Sequence, residues 1–280
     1  MSYKTVLVHV DESSRSDFRV KIAAGIARAE GAHLIGTAVT GVSRFIYQDG
    51  NISTSDPNLA NHLNFLRERA ERSVAGFARQ VQDLGVLSHE SMVAHDEAGG
   101  GIGVLARYSD LVVVGQANRD EPSPSVLPDF PEYIVMHSGR PVLIIPYAGD
   151  FTSIGKRPLI AWDASRESTR AVTDAIPLLK HAELVQVAIF NSSQAALDAH
   201  GEQPGSDIVR YLSRHGINAK VSLHKTGTDV GNALLSLAHD LDSDLIVMGG
   251  YGHSRFREMI MGGVTRTVME SMTVPILMSH

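Results

Sequence analysis

Short apolar runs rich in β-branched residues alternate along the chain with longer stretches whose apolar positions recur every three or four residues. The short runs predict strands and the longer stretches predict helices. In the first half the predicted strands are TVLVHV, HLIGTAV, SHESMVA, DLVVVG and PVLIIP, and the predicted helices span 16–30, 61–84 and 103–108. In the second half the strands are PLIAW, LVQVAIF, KVSLHK, DLIVMG and PILMS, and the helices span 167–180, 207–215 and 230–241, with another starting near Val264. Since the strands are apolar throughout, this pattern predicts an α/β fold with a doubly wound parallel sheet covered on both faces.

The second half of the chain repeats the first. Residues 4–16 return as 156–168, so that Asp11 corresponds to Asp163, and residues 109–115 return as 243–249. A repeat of this length predicts two copies of one Rossmann-like domain, 1–148 and 149–280, joined near 147–156, where Gly, Asp and Ser suit a linker. The matching terminal strands PVLII and PILMS predict that the copies pack as an intramolecular pseudo-dimer, since unpaired edge strands are usually covered.

Composition removes several classes of function. The chain has no cysteine, which excludes disulfides, thiolate nucleophiles and thiolate zinc sites and is typical of a cytoplasmic protein. No apolar run approaches the ~20 residues of a membrane helix. The net charge of −6 lacks the basic footprint of a nucleic-acid binder. The 13 histidines include no His-Glu-x-x-His pair, so we expect no metal site.

The segment GGYGHSRFREMIMGGVT, residues 249–265, follows a predicted strand and leads into a predicted helix. In parallel sheets ligands bind beyond the carboxyl ends of the strands, where the strand order reverses, and Asp163 and Gly249 both end predicted strands there. Glycines mark positive φ or a close backbone approach, and a helix N-terminus attracts anions. This loop therefore predicts a phosphate site that is neither a Walker loop nor G-x-G-x-x-G. The alternative is an ordinary tight turn between a strand and a helix.

The spacing G-2x-G-9x-G, after an LIVMG strand and before a helix and a terminal VPIL strand, resembles the adenine-nucleotide site of the universal stress protein family, here in tandem. The resemblance covers both copies, and so nearly the whole chain. It implies a fold like that of the adenine nucleotide alpha hydrolases, a bound ATP, ADP or AMP, and dimerisation of single-domain relatives through the terminal strand. It leaves open whether Mg²⁺ accompanies the nucleotide and whether the chain forms a homodimer.

The resemblance also implies roles for particular residues. The glycines and the first helical residues would hold the phosphates, Asp163 would bind the ribose or base side, and neighbouring residues would line the adenosine pocket. The phosphate residues are Gly249, Gly252, Gly262, Gly263, Val264 and Thr265, and the pocket residues are Ala161, Trp162, Ile189 and Met248. His253 either contacts phosphate or faces solvent. The family usually has Ser or Thr where this chain has Gly263, and Thr265 is the nearest hydroxyl that could replace it.

The first copy lacks this loop. At the same offset Asn118, Pro128 and Asp129 stand in place of Gly252, Gly262 and Gly263. Proline removes an N–H donor and the acidic loop repels anions, so we expect one nucleotide per chain, held by the second copy. Asp11 then has no ligand to bind, and we expect it to cap a helix. We expect Gly99–Gly101 to open a flexible loop before a short helix.

Catalysis is not the expected role. Phosphoryl transfer requires a positioned base and usually a metal carboxylate. Asp163 is the only acid that the sequence places in the crevice, and the resemblance gives it a binding role. We therefore predict a regulatory, nucleotide-binding stress protein with at most weak ATPase activity. The alternatives are a nucleotide-hydrolysing enzyme of similar fold and an interaction scaffold in which both sites are inactive.

Overall fold

A computed structural model describes residues 2–42, 57–151, 154–191, 205–252 and 263–280. The chain divides after Val142 into two compact units, upstream of the predicted boundary at 148. The elements of the first half are β1 (Thr5–His9), α1 (Ser16–Glu30), β2 (His33–Val39), α2 (Pro57–Asp83), β3 (His89–Ala94), α3 (Ala98–Ala106), β4 (Leu111–Gly115), α4 (Phe130–His137) and β5 (Val142–Ile145). Those of the second half are β6 (Pro158–Ala161), α5 (Arg166–Leu179), β7 (Val185–Phe190), α6 (Ser206–Arg214), β8 (Ala219–His224), α7 (Val230–Asp240), β9 (Leu245–Gly249), α8 (Val264–Ser271) and β10 (Ile276–Ser279).

The unit Ser2–Val142 contains a parallel sheet in the order β3-β2-β1-β4. Leu7 of β1 is in register with Ile35 of β2 on one side and with Val112 of β4 on the other. The apolar residues of the central strands β1 and β4 are all buried, as in other parallel sheets whose two faces are covered by helices. The α/β class and the parallel sheet predicted from the sequence are confirmed.

The unit Leu143–His280 repeats this order as β8-β7-β6-β9-β10, again with parallel pairing. Ile160 of β6 is in register with Val187 of β7 and with Val247 of β9. The chain runs from β6 outward to β8 in one direction and from β9 to β10 in the other. The order therefore reverses between β6 and β9, and a crevice lies at their carboxyl ends.

The repeat is visible in matched hydrogen bonds. Asp110 Oδ2 accepts from the backbone N–H groups of Lys4 (2.7 Å) and Thr5 (3.0 Å), which joins the starts of β1 and β4. Asp244, at the same place in the second unit, accepts from those of Lys156 and Arg157 at 2.9 Å each. Each aspartate thus fixes the amino ends of the two central strands of its unit.

Two elements differ from the sequence prediction. Helix α4 was not predicted, although the offset that relates β4 to β9 also relates α4 to α8. Gly99–Gly101 lie inside α3, so the predicted loop is wrong. The reason is packing: a Cβ on Gly99 would lie 2.8 Å from the Tyr133 ring, and one on Gly101 would lie 3.1 Å from Ala94 Cβ. Small residues let α3 approach α4 and the end of β3 closely. No helix among the described residues has the length and apolar character needed to cross a bilayer.

Candidate functional site

Asp163 lies at the mouth of the crevice in the second unit. Beyond the end of β6, the Trp162 N–H donates to Ala188 O (2.9 Å), and this bond continues the pairing with β7 for one more residue. The exposed Asp163 then accepts at Oδ1 from the Ser165 N–H (3.0 Å). Ser165 caps α5 by accepting from the Ser168 N–H (3.1 Å). No bond from the described residues to Asp163 Oδ2 is found, so this carboxylate has capacity for a ligand.

The residues predicted to line an adenosine pocket come together on three neighbouring strands. Ala161 ends β6, Trp162 follows it, and both are half-buried, whereas Ile189 on β7 and Met248 on β9 are buried. A Cβ on Gly205 would lie 3.0 Å from Ile189 Cδ1, so this glycine lets the chain before α6 approach the same side chain. The sheet order β7-β6-β9 brings all four residues to the carboxyl edge.

Gly249 has a packing role that the sequence argument did not foresee. A Cβ at this position would lie 2.6 Å from Ser168 N and 2.7 Å from the Glu167 carbonyl carbon, so the first turn of α5 rests against the Gly249 backbone. Neither Gly249 nor Gly252 has a positive φ; the positive φ of 54° falls on Tyr251 instead. Glycine is therefore required at position 249 because α5 approaches the backbone closely, and not because the backbone has a positive φ.

The second part of the predicted phosphate loop meets the start of α8. Gly263 is the N-cap residue of this helix, with φ −55° and ψ 161°, and no side chain caps it. The N–H groups of Val264 and Thr265 belong to the first turn, where a helix has no internal acceptors for them. Thr265 is buried, and its Oγ1 accepts from the Tyr251 N–H in a long contact of 3.5 Å, which links the two ends of the loop. Gly262 and His253 lie outside the described residues.

Sequence reasoning missed Glu167. This residue lies in the first turn of α5 and is only 8% exposed. Its Oε2 is buried and has no hydrogen-bond partner among the residues that the structure describes. A Cβ on Gly252 would lie 3.4 Å from this oxygen, so the carboxylate lies directly beside the loop glycine. An acid in a first helical turn is normally explained by the helix dipole, which is why the sequence pattern gave no signal of a site.

The first unit places a buried arginine at the equivalent crevice. Arg19 on α1 is 3% exposed, and its Nε donates to His9 O (2.7 Å) while its Nη2 donates to Asp11 Oδ1 (2.9 Å). Its Nη1 lies so close to Gly115 that a Cβ at this position would clash with it. The second unit has Ala171 at the position of Arg19, given the offset between Asp11 and Asp163. The Arg19 guanidinium therefore occupies the crevice of the first unit, whereas the equivalent residue of the second unit, Ala171, has only a methyl side chain.

Asp11 is not a helix cap, and that prediction is wrong. Helix α1 has Arg15 as its N-cap residue and no side-chain cap bond. Asp11 instead accepts from the Ser13 N–H and hydroxyl and from Arg19. Burial raises the pKa of the Asp11 carboxyl, but the Arg19 charge, with smaller contributions from His9 and Ser13, outweighs this effect and holds the pKa well below its usual range.

His9 completes this buried cluster. Its ring lies edge-on to Phe130 with centroids 5.1 Å apart, and its Nδ1 is 3.8 Å from Asp11 Oδ2. Burial lowers the pKa of His9 from 6.5 to about 4, an effect that the Asp11 charge opposes and the Arg19 charge reinforces. His9 is therefore a neutral ring at pH 7.

The loop after β4 closes the crevice of the first unit. The Ser14 N–H and hydroxyl both donate to the Glu121 carboxylate, at 2.8 and 2.7 Å. Ser125 packs on Gly41, where a Cβ would lie 2.5 Å from Ser125 Cα. The remaining cavity measures ≈60 Å³, far below the roughly 300–1,000 Å³ of typical ligand pockets. A further cavity of ≈390 Å³ on this loop is lined by Glu97 and Asp129 and by no basic residue.

Comparison with known proteins agrees with this geometry. The model of the universal stress protein family matches residues 2–146 and 156–280. A universal stress protein from Archaeoglobus fulgidus DSM 4304 is 19% identical, with 98% of this chain and 95% of that chain covered and a TM-score of 0.72. A functionally unknown protein from Pseudomonas aeruginosa PAO1 is 14% identical, with coverage of 99% and 92% and a TM-score of 0.58.

A universal stress protein solved in complex with cAMP is 23% identical and covers 52% of this chain and 98% of its own, with a TM-score of 0.40. No curated protein matches significantly. At these identities the similarity to the two longer structures shows the fold.

Proposed function

This chain belongs to the universal stress protein family, and we propose that it binds one adenine nucleotide, in the crevice of its second domain, as a regulatory stress-response protein. The nucleotide is ATP, ADP or AMP, accompanied by Mg²⁺ where it carries several phosphates. A cytoplasmic location, expected from the composition, is part of the proposal. So is the pseudo-dimer expected from the matching terminal strands.

The observation that carries the proposal is the contrast between the two strand-end aspartates. Asp11 is partly buried and its charge is paired with Arg19, and its Oδ1 also accepts two bonds from Ser13; Asp163 is exposed, forms no ion pair with the described residues, and accepts one bond from its own turn at Oδ1. A carboxylate with an oxygen available at a crevice mouth suits the hydroxyls of a ribose. The buried Ile189 and Met248 on the flanking strands supply apolar surface for a base beside it.

The N-terminus of α8 supports the placement of the phosphates. Gly263 begins the helix without a side-chain cap, and the first-turn N–H groups and the positive end of the helix dipole suit an anion. The close approach of α5 to Gly249 brings the start of α5, which follows Asp163, next to the end of β9, from which the predicted phosphate loop leads to α8. Binding, rather than hydrolysis, accounts for these features, because phosphoryl transfer also needs a base beside the attacking water.

The single tryptophan, Trp162, lies next to Asp163, and its fluorescence offers a direct assay. Titration of the full chain with ADP should give one site per chain. Asp163→Asn should weaken binding about ten-fold or more, because charge-assisted hydrogen bonds contribute roughly 1.5–3 kcal/mol each. Asp242→Asn, an exposed aspartate before β9 at the opposite edge of the sheet, is the matched control. Two equivalent sites, or no binding of ATP, ADP or AMP, would contradict the proposal.

A further inference from the structure

We propose that the Glu167 carboxylate is a ligand of a divalent cation, Mg²⁺ or Mn²⁺, that bridges it to the phosphates of the bound nucleotide. The proposal rests on the proposed function and makes it more specific. Its consequence is that ADP and ATP bind this crevice more tightly with the cation than without it, whereas the affinity for adenosine, which has no phosphate, does not depend on the cation.

The position of Glu167 is fixed by its backbone. The main chain of Glu167 and Ser168 rests on Gly249, with a Gly249 Cβ position only 2.6–2.8 Å from three of their atoms. Glu167 is only 8% exposed, so its side chain lies within the protein. Its Oε2 lies beside Gly252, the last described residue of the first part of the predicted phosphate loop.

The electrostatics of this position call for a cation. A buried carboxylate oxygen without a hydrogen-bond partner is unfavourable, and the described part of the chain supplies none for Glu167 Oε2. A phosphate beside it would add repulsion between like charges at short range. A hard dication bound to both oxygens removes both problems at once, because Mg²⁺ and Mn²⁺ prefer carboxylate and phosphate oxygens.

One protein carboxylate is sufficient for such a site. Mg²⁺ at nucleotide sites is commonly held by one or two carboxylates together with substrate phosphates and water. This agrees with the finding that the described residues contain no group of three or more acids or histidines able to hold a metal alone. The first unit has Arg15 at the equivalent position, so the arrangement belongs to the second unit.

The experiment compares three full-length proteins in Mg²⁺ and in EDTA: wild type, Glu167→Gln and, as the matched control, Glu183→Gln. Glu183 is an exposed glutamate that precedes β7, at the opposite edge of the same sheet. Affinities for ADP and adenosine are measured by Trp162 fluorescence and by calorimetry. Wild type and Glu183→Gln should lose at least about ten-fold in ADP affinity in EDTA. Glu167→Gln should bind ADP with the same affinity in both buffers, within about two-fold, and all three proteins should bind adenosine equally.

Thermal unfolding without ligand supplies a second readout. Because the substitution replaces a buried carboxylate whose Oε2 has no hydrogen-bond partner among the described residues, Glu167→Gln should unfold at the same temperature as wild type or higher. A clearly lower Tm would show that the carboxylate has a structural partner and would overturn the proposal. Equal ADP affinity of wild type in Mg²⁺ and EDTA, or full metal dependence in Glu167→Gln, would also overturn it. Failure of wild type to bind adenosine or ADP in either buffer would instead refute the proposed function.

Discussion

Replacing Arg19 by methionine should destabilise the first unit by about 3–5 kcal/mol, the usual cost of breaking a buried ion pair by removing one partner. Arg19 is 3% exposed and makes two charge-assisted bonds, to His9 O at 2.7 Å and to Asp11 Oδ1 at 2.9 Å. At roughly 1.5–3 kcal/mol each, these bonds account for a loss of this size. Methionine keeps most of the apolar stem, so little of the loss comes from packing.

The assay is urea unfolding of the full chain, followed by far-UV circular dichroism and by hydrogen exchange of peptides from β1 and β4. Trp162 fluorescence reports separately on the second unit, because it is the only tryptophan. The matched control is Arg72→Met, which removes an ion pair with Glu12 at 2.8 Å in which the Arg72 side chain is 56% exposed. Exposed pairs contribute about 0–1 kcal/mol, so this control should change stability little.

The double variant Arg19→Met/Asp11→Asn tests whether the loss comes from an uncompensated charge. It should recover part of the stability, because no buried carboxylate is then left without its cation. A loss of less than about 1 kcal/mol for Arg19→Met, or one no larger than that of Arg72→Met, would refute the argument.

Three further predictions concern His9 in the first unit and Gly249 and Gly252 in the second. Folding lowers the pKa of His9 from 6.5 to about 4, so between these pH values the unfolded state binds a proton at His9 that the folded state does not. The free energy of unfolding should therefore decrease by about 3 kcal/mol as the pH falls from 6.5 to 4. Urea unfolding at several pH values should show a weaker pH dependence for His9→Asn, but not for the exposed control His62→Asn. Gly249→Ala should destabilise the second unit by about 1–3 kcal/mol through its clash with α5, measured by Trp162 fluorescence, whereas Gly227→Ala, with nothing within 4 Å, should change stability little. Gly252→Val should leave the Tm near that of wild type but weaken ADP binding about ten-fold in calorimetry, because its side chain blocks the phosphates; unchanged affinity would contradict the predicted phosphate loop.

The order and class of most elements follow from the sequence, because continuous apolar runs and helical periodicity depend on local pattern. Strand β2 and helix α1 have the predicted bounds, and the other predicted strands agree to within about a residue at each end. The repeat between residues 109–115 and 243–249 is also evident in the sequence. Because the same offset relates α4 to α8, this repeat was sufficient to predict α4 once the helix starting near Val264 had been predicted. The replacement of Gly252 by Asn118 in the first copy also follows from the sequence, because aligning the two copies is enough to show it.

The content of each crevice was decided by tertiary structure. Arg19 belongs to α1 and Gly115 to β4, and only the fold brings the guanidinium to the strand end where a ligand would otherwise lie. In the sequence Glu167 resembles an ordinary first-turn acid, and only the fold shows that α5 packs on Gly249 and that the Glu167 carboxylate lies beside Gly252. Periodicity reports which face of an element is buried, but hydrogen bonds and close contacts between distant residues depend on how the elements pack, and that information is not local in the sequence.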